Sequence, residues 1–285
     1  MIQPHTQNPL LSDFTGRFGL PPFGVVTPEH FRPAFDAALA VHRIEIDTIA
    51  GSQEPPTFAN TIEALERSGR ALERVANVFF VLAGADTGDA IEAIERDVSP
   101  LLARHSNALY LNRALYARIA ELYARRDTLG LSAEQARLLE RYHTRFVRAG
   151  AALDQAQQDR LAAINERLAS LGTQFGQNVL ADEKSYAMIL AEGDLAGLPD
   201  FARDAARAAA EERGHAGKYA ITLARSSAET FLQFSSCRDL REKLFNAFIK
   251  RGENGGATDN RATIAEMVRL RAERAALLGF NTFAD

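Results

Sequence analysis

The stretch QAQQDRLAAINERLASLGTQF, residues 155–175, decides the fold class of this chain. Its large apolar side chains recur at alternating spacings of three and four residues, at Leu161, Ile164, Leu168, Leu171 and Phe175. This heptad spacing places one apolar seam along a single helix. A second helical pattern ends just upstream, and Gly150 and Asp154 mark a short turn between the two. Because a short connection favours antiparallel neighbours, the sequence predicts a long helical hairpin.

The upstream helix of this hairpin carries its own start signal. Ser132 and Gln135 have the spacing of a capping box, in which each side chain bonds the other residue's backbone N–H. The helix that follows has a predicted buried face formed by Leu138, Leu139, Tyr142 and Phe146.

Helical signals also dominate the first half of the chain. Thr27 followed by Pro28 indicates a helix start, with proline at the first helical position. Asn60 and Glu63 resemble a capping box for a helix that runs to Gly84. Pro100 predicts a kink or break in the helix that starts near Ile91.

The periodicity changes after Asp182. Alternation at Tyr186, Met188 and Leu190, and again at 219–223, predicts two short strands. The segment 198–212 between them is alanine-rich and helical in pattern. We therefore predict a mainly α fold of antiparallel helical hairpins or a bundle, with a small β element around residues 184–225. The predicted division is a helical region at 1–182 and the β element with further helices at 183–285.

Bulk composition limits the functional classes. The net charge of −4 gives no basic excess for nucleic acid, and the 25% charged and 46% hydrophobic fractions are ordinary globular values. Cys237 is the single cysteine, so no disulfide can form within the chain. No apolar run reaches membrane-spanning length, and residues 1–14 lack the pattern of a signal peptide. We expect a soluble cytoplasmic protein that binds neither membrane nor nucleic acid.

The histidines do not form a metal motif in the sequence. A helical zinc site needs two histidines one turn apart, as in His-Glu-x-x-His. None of the six has such a neighbour; they are His5, His30, His42, His105, His143 and His215. His143 faces Leu139 and Val147 at helical spacing, which favours a packing or surface role.

Other residues with chemical potential also have simpler interpretations. Cys237 precedes a helix, where a thiolate would be stabilised, but a lone cysteine is more often a small buried hydrophobe. The glycines of the 252–256 loop lack the Gly-Lys-[Ser/Thr] ending of a phosphate loop, so a mobile connector is expected. Solvated helix faces are the expected role of the acidic pairs Glu92–Glu95 and Glu211–Glu212 and of Arg269, Arg271 and Arg274.

Several stretches together carry a family resemblance. They are PPTFANTI at 55–62, ALERSG at 64–69, VFFVLAGA at 78–85, LLERYH at 138–143, FVRAG at 146–150, REKLF at 241–245 and LRAERAALLGF at 270–280. From about Asn8 onward, the chain resembles the amino-terminal part of the thimet oligopeptidase family of zinc metallopeptidases. Within the family it looks most like the bacterial peptidyl-dipeptidase branch, Dcp, and next most like oligopeptidase A.

The resemblance implies a mainly helical lobe that forms one wall of a deep channel and restricts substrates to short peptides. The family's zinc ligands lie in its other half, and this sequence contains no His-Glu-x-x-His. No catalytic, cofactor-binding or metal-binding residue can therefore be assigned to this chain. The resemblance implies zinc and short peptides as the cofactor and substrates of a full-length enzyme that releases carboxy-terminal dipeptides. We expect the present chain alone to be inactive and to bind no zinc.

The last residues of the chain follow a predicted helix end. Gly279 is predicted to end the last helix, and residues 280–285 then open a new element, so we expect a fragment whose Phe280 and Phe283 have lost core partners. Apolar surface exposed in this way predicts self-association. The alternatives are an oligopeptidase A-like endopeptidase and a non-catalytic helical protein that binds peptides in a groove.

Overall fold

The computed structural model describes residues 8–285, which are mainly helical. The α-helices are α1 Pro28–Ala50, α2 Ala64–Arg67, α3 Arg70–Ala85, α4 Asp89–Tyr110, α5 Arg113–Ala124, α6 Ala133–Arg148, α7 Gln155–Ser185, α8 Asp200–Glu211, α9 Arg225–Phe234, α10 Arg238–Ile249 and α11 Arg261–Leu277. The strands are β1 Ala187–Leu190 and β2 Tyr219–Thr222, and they pair antiparallel. The predicted fold class, mainly α with a small β element within 184–225, is confirmed.

Two predicted helix starts are confirmed by their hydrogen bonds. Helix α1 begins at Pro28, and the backbone N–H of Thr27 donates to Nδ1 of His30 at 3.0 Å. At α6, the N–H of Ser132 donates to Oε1 of Gln135 at 3.0 Å, and the N–H of Gln135 donates to Oγ of Ser132 at 3.2 Å. These side chains satisfy donors that the first helical turn leaves free.

The predicted helix from Asn60 to Gly84 is wrong in two respects. The capping box lies three residues earlier, because the N–H groups of Thr57 and Asn60 donate to each other's side chains at 2.8 and 3.0 Å. Phe58–Glu63 is then π-helical and continues into α2. The helix stops at Ser68, and Gly69, with φ of 75°, starts the separate helix α3. Glycine tolerates this left-handed conformation without steric cost.

The sequence predicted a helix interruption at Pro100 and a helix end at Gly279. Of the kink or break predicted at Pro100, the break is wrong, since α4 continues through it from Asp89 to Tyr110, and the kink stays a prediction. The termination predicted at Gly279 is confirmed: this residue has φ of 79°. The N–H of Phe280 donates back to the carbonyl of Ala275 at 2.9 Å, which closes the end of α11.

Residues up to 173, together with 269–285, form one compact unit. Its first core is aromatic: the rings of Phe31 and Phe35 meet Phe79 edge-to-face, with centroids 5.1 and 5.4 Å apart, and join α1 to α3. A second core joins α5 to α6 through buried Ile119, Leu139 and Phe146, among others. Both cores consist of the apolar faces that helical periodicity predicts.

Residues 174–268 form the other compact unit. In its sheet, Met188 pairs with Ile221, and both are buried. All four residues of β2 are buried, because α8 and α9 both pack against this strand. Helix α8 presents its small alanine face to the same core, at Ala202 and Ala206.

The heptad seam of α7 is confirmed in part. Leu161, Ile164 and Leu171 are buried, whereas Phe175 is 37% exposed. A heptad position indicates a helix face but does not identify an element that covers it. The predicted division of the chain at residue 182 stays a prediction.

Candidate functional site

A cleft of about 1020 Å³ opens beside α6 in the first unit. Helices α4, α6, α7 and α11 all contribute to its lining. We call it the α6 cleft and define it by Asn107, Tyr110, Arg141, Arg145, Arg148 and Arg274. Arg141, Arg145 and Arg148 share one helix face, because residues three, four and seven apart stack along a helix.

The α6 cleft is basic. Five arginines line it and only two carboxylates, Glu66 and Glu140. Glu140 already pairs with one of the five, Arg137, at 2.7 Å. Glu66 accepts a hydrogen bond from the hydroxyl of Tyr142 at 2.6 Å. The lining therefore carries positive charge that its own carboxylates do not neutralise.

Two tyrosines of the lining keep their protons at neutral pH. Burial raises the pKa of Tyr142 strongly, and the hydrogen bond to the Glu66 carboxylate adds to this effect. Burial also raises the pKa of Tyr110, although the charge of Arg145 opposes the shift. The guanidinium of Arg145 lies 5.4 Å from the centroid of the Tyr110 ring, a cation–π distance.

A pair of asparagines ties α4 to α7 at this cleft. Nδ2 of Asn107, a buried side chain, donates to the carbonyl of Ala162 at 3.1 Å. Nδ2 of Asn165 donates in turn to Oδ1 of Asn107 at 2.9 Å. These bonds hold α4 to α7 where both helices line the cleft.

A second cluster joins two histidines that lie far apart in the sequence. Nε2 of His105 and Nδ1 of His42 are 2.9 Å apart, and Nε2 of His42 is 3.3 Å from Oγ of Ser68. The Ser68 hydroxyl donates its proton to the carbonyl of Leu65 at 2.7 Å. His42 must therefore donate to Ser68 from Nε2 and accept from His105 at Nδ1. Since His42 does not act as a base toward Ser68, this arrangement does not activate a nucleophile.

Both histidines of this cluster favour the neutral form. Burial, followed by the charges of His42 and Arg43, lowers the pKa of His105 to about 4. Burial also lowers the pKa of His42, and Glu45 opposes that shift. Sequence reasoning missed the pair because no local spacing connects α1 to α4.

The glycine loop before α11 closes on an acidic side chain. The carboxylate of Asp182 accepts hydrogen bonds from the N–H of Gly252 at 2.7 Å, Nδ2 of Asn254 at 3.0 Å and Oγ1 of Thr258 at 2.5 Å. Burial acts to raise the pKa of Asp182, but these bonds outweigh it and the pKa is lowered. The loop therefore wraps around a carboxylate of its own chain, which occupies its donors.

Two other sequence candidates occupy structural positions. His143 stacks on Tyr123 with ring centroids 4.0 Å apart, which confirms the packing role. Cys237 is half-buried before α10, and its Sγ lies 3.5 Å from the carbonyl oxygen of Asp194. In the described part of the chain, the contacts of His143 and Cys237 include no other candidate catalytic group.

The charged faces singled out in the sequence separate into two kinds. Arg269 pairs with Glu273 at 3.8 Å, and Arg271 lies over the Phe283 ring at 5.0 Å. Glu211 and Glu212 are exposed on the surface. Arg274, in contrast, lines the α6 cleft, so the interpretation of this residue as part of a solvated face is incomplete.

Within residues 8–285, no group of three or more His, Cys, Asp or Glu side chains could hold a metal ion. His5 lies outside the described residues. In the same part of the chain, every helix is too short or too polar to cross a membrane.

Comparison with known proteins finds that the chain is similar to several peptidases. It is 40% identical over 98% of its length to dipeptidyl carboxypeptidase of Escherichia coli, and this match covers 41% of that protein. It is 31% identical over 94% of its length to oligopeptidase A of Haemophilus influenzae, covering 40% of it. It is also 31% identical over 98% of its length to an organellar oligopeptidase A of Arabidopsis thaliana, covering 36% of it.

The chain thus spans about two fifths of the length of these curated relatives. No protein-family model matches it. The resemblance found in the sequence is nevertheless confirmed, because the relatives match almost the whole chain and carry the names of the two predicted branches.

Proposed function

We propose, from the premise that this chain is a relative of the thimet oligopeptidase-like peptidases, that it is the amino-terminal, channel-wall portion of a zinc metallopeptidase. The full-length enzyme would act in the cytoplasm and release carboxy-terminal dipeptides from short peptides. The chain by itself would be inactive. Its role would be to form one wall of the space that admits the substrate.

The degree of sequence identity carries this proposal. The dipeptidyl carboxypeptidases of Escherichia coli and Salmonella typhimurium are 40% and 38% identical to the chain, whereas bacterial oligopeptidases A are 29–31% identical. The higher identity favours release of dipeptides over internal cleavage. The α6 cleft supports a role in peptide binding, since it offers a concave surface with hydrogen-bond donors.

The residues of this chain do not fit a catalytic zinc ion. Such a site holds the metal with three protein ligands and leaves one position open. The sequence has no His-Glu-x-x-His, and residues 8–285 contain no cluster of three potential ligands. We therefore assign the proposed zinc to the three fifths of the relatives that this chain does not cover, and derive no chemical step within the chain itself.

Hydrolysis of a blocked tetrapeptide tests the proposal. We expect a longer protein that continues past Asp285 to release dipeptides from the carboxyl end, and a chelator to abolish this activity. The 285-residue chain supplied with zinc should show no turnover. Chelator-sensitive turnover by the chain alone would contradict the assignment of the zinc to the uncovered region.

Two alternatives predict different products. An oligopeptidase A-like endopeptidase, supported by the matches to that group, would cleave longer peptides internally and give fragments of mixed length. A non-catalytic peptide-binding protein would bind peptides without hydrolysing them in either form. Mass spectrometry of the products from a single long peptide distinguishes all three.

A further inference from the structure

We propose that the α6 cleft is a binding site for acidic peptide segments, with side-chain carboxylates at alternate positions of an extended peptide contacting Arg141, Arg145 and Arg148. The inference rests on the proposed function, because that function supplies the premise that the ligand is a peptide. It adds the chemical class of peptide and the residues that select it.

Three arginines of the α6 cleft carry charge that no carboxylate of the described chain neutralises. Within residues 8–285, Arg141, Arg148 and Arg274 have no carboxylate oxygen within ion-pair distance. Two other arginines of these helices are paired: Arg137, which also lines the cleft, with Glu140 at 2.7 Å, and Arg269 with Glu273 at 3.8 Å. A cleft with uncompensated cations concentrates the field and attracts anionic ligands.

The basic charge of the α6 cleft contrasts with the acidic balance of the whole chain. The whole sequence carries a net charge of −4, so a basic cleft is a local feature rather than a consequence of composition. Both carboxylates of the lining are engaged, Glu140 with Arg137 and Glu66 with the Tyr142 hydroxyl. An incoming carboxylate would therefore meet arginines without competing for an existing ion pair.

The arginines of α6 are spaced at intervals close to those between alternate residues of an extended peptide. Arg141 and Arg145 are about 6 Å apart along the helix axis, and Arg145 and Arg148 about 4.5 Å, since a helix rises about 1.5 Å per residue. Side chains on one side of an extended peptide recur about every 6.6 Å. Acidic residues at alternate peptide positions therefore match the arginine row, and flexible arginine side chains can absorb the difference.

Neutral donors and acceptors complete the site. The Tyr110 hydroxyl keeps its proton and can donate to a peptide carbonyl. Asn165 uses its Nδ2 on Asn107, which leaves its Oδ1 available to accept a peptide N–H. A peptide backbone needs both kinds of partner, whereas a phosphate backbone offers no N–H to Oδ1. This favours a peptide over a nucleic acid.

The test measures binding by the 285-residue chain itself, using fluorescence anisotropy. The probe is a fluorescein-labelled peptide with glutamate at alternate positions, compared with the same peptide carrying glutamine instead. Each exposed ion pair contributes little, but several form at once. We therefore expect the glutamate peptide to bind roughly tenfold more tightly than the glutamine peptide at low salt. About 0.3 M salt should remove most of this preference.

Matched variants locate the site. The double variant Arg141→Gln with Arg148→Gln should lose about fivefold or more in affinity for the glutamate peptide. The control double variant, Arg113→Gln with Arg238→Gln, removes the same charge at exposed positions outside the cleft and should change affinity less than about twofold. All four positions lie on helices, and circular dichroism checks that the fold is kept.

Three results would overturn the inference: equal affinity for the two peptides, an equal loss in the control variant, or tighter binding of a single-stranded oligonucleotide of the same charge. The binding assay is independent of hydrolysis. Charge-selective binding without any hydrolysis by the longer protein would reject only the proposed function. Dipeptide release without charge-selective binding would reject only the acidic-peptide site.

Discussion

Nδ1 of His42 on α1 and Nε2 of His105 on α4 lie 2.9 Å apart, and this hydrogen bond links two residues that are 63 positions apart in the sequence. The bond needs one nitrogen that carries a proton and one that does not. It is therefore lost when both imidazoles are fully protonated, and two positive charges then face each other.

The first prediction is an acid-sensitive stability. The pKa of His105 falls to about 4 in the folded chain, below its ordinary value of 6.5. Between these values the unfolded chain binds more protons, so the free energy of unfolding falls as the pH falls through that window and is highest above it. We expect His105→Gln to weaken this dependence by about 1 kcal/mol between pH 7 and pH 4.5, after allowance for solvent screening.

Urea denaturation at several pH values measures this effect. The control is His215→Gln, which changes an exposed histidine in the other unit. A His105→Gln protein that retains the full pH dependence of the wild type would show that the pair does not cause it.

The second prediction concerns Gly69, which supports the same cluster. A Cβ at this position would lie 2.8 Å from Cε1 of His42, and φ is 75°. Gly214 has φ of 78° and open space around it. Gly214→Ala should therefore cost about 1 kcal/mol from backbone strain alone. Gly69→Ala should cost about 1–3 kcal/mol more, because the His42 ring must move.

Chemical denaturation of the two alanine variants gives the comparison. Combining Gly69→Ala with His42→Ala should remove most of the additional cost, since the ring is then absent. Equal destabilisation by Gly69→Ala and Gly214→Ala would mean that contact with His42 has no energetic effect.

The third prediction concerns a buried arginine that holds the loop before α2. Arg118 donates from Nη1 to the carbonyls of Ser52 and Glu54, and from Nη2 to Oδ1 of Asn60, all at 3.0 Å. Arg118→Met leaves the carbonyls of Ser52 and Glu54 without this donor, whereas Oδ1 of Asn60 keeps the bond from the N–H of Thr57, and we expect a loss of about 3 kcal/mol in unfolding free energy. The control Arg113→Met, at an exposed position on the same helix, should cost under about 0.5 kcal/mol.

A loss of less than about 1 kcal/mol for Arg118→Met in guanidinium denaturation would contradict this role. Nε of Arg118 has no hydrogen-bond partner, so the substitution also removes one unsatisfied buried donor. That gain is smaller than the loss of three bonds to a charged group.

Much of the fold was predictable because local chemistry determines it. The backbone N–H of Thr27 bonds the side chain of His30, and Ser132 and Gln135 bond each other, so the few residues around each helix start suffice to predict it. The break at Gly69 was not predictable, since helical spacing continues across it and only tertiary contact with His42 and Glu45 fixes the left-handed turn. Local pattern cannot say which distant side chain a residue will meet.

The α6 cleft shows the same limit for function. The spacing of Arg141, Arg145 and Arg148 is visible in the sequence, but it is also typical of a solvated helix face. What distinguishes it is the concavity formed with Asn165 and Arg274, which come from helices further along the chain. Concavity arises from packing between helices, and no single helix encodes it.

The fourth prediction concerns the carboxylate inside the glycine loop. Asp182→Asn removes the charge that accepts from Gly252, Asn254 and Thr258, and we expect a loss of about 2 kcal/mol. Because the folded pKa of Asp182 is lowered, its contribution is present at neutral pH and is lost as the pH falls through that pKa. Thermal unfolding at pH 7 measures the cost, with Asp239→Asn as the exposed control.

Greater protease sensitivity of the 252–258 loop in Asp182→Asn than in Asp239→Asn would support the same account. Unchanged melting temperature and cleavage rate would mean that the loop is held by its other bonds. One of these is from the N–H of Gly255 to the Asp259 carboxylate at 2.9 Å.

The last prediction is self-association through an apolar face of α10. Phe245 and Ile249 are 50% and 54% exposed, and they lie one helical turn apart on the same face. Adjacent exposed apolar side chains favour association because contact removes their surface from water. We expect light scattering to show dimers or larger species at high concentration, and Phe245→Ser with Ile249→Ser to restore the monomer. The control, Ile44→Ser with Val81→Ser, removes comparably exposed apolar groups from the other unit and should leave association unchanged. A monodisperse wild-type monomer at high concentration would count against this face as an interface.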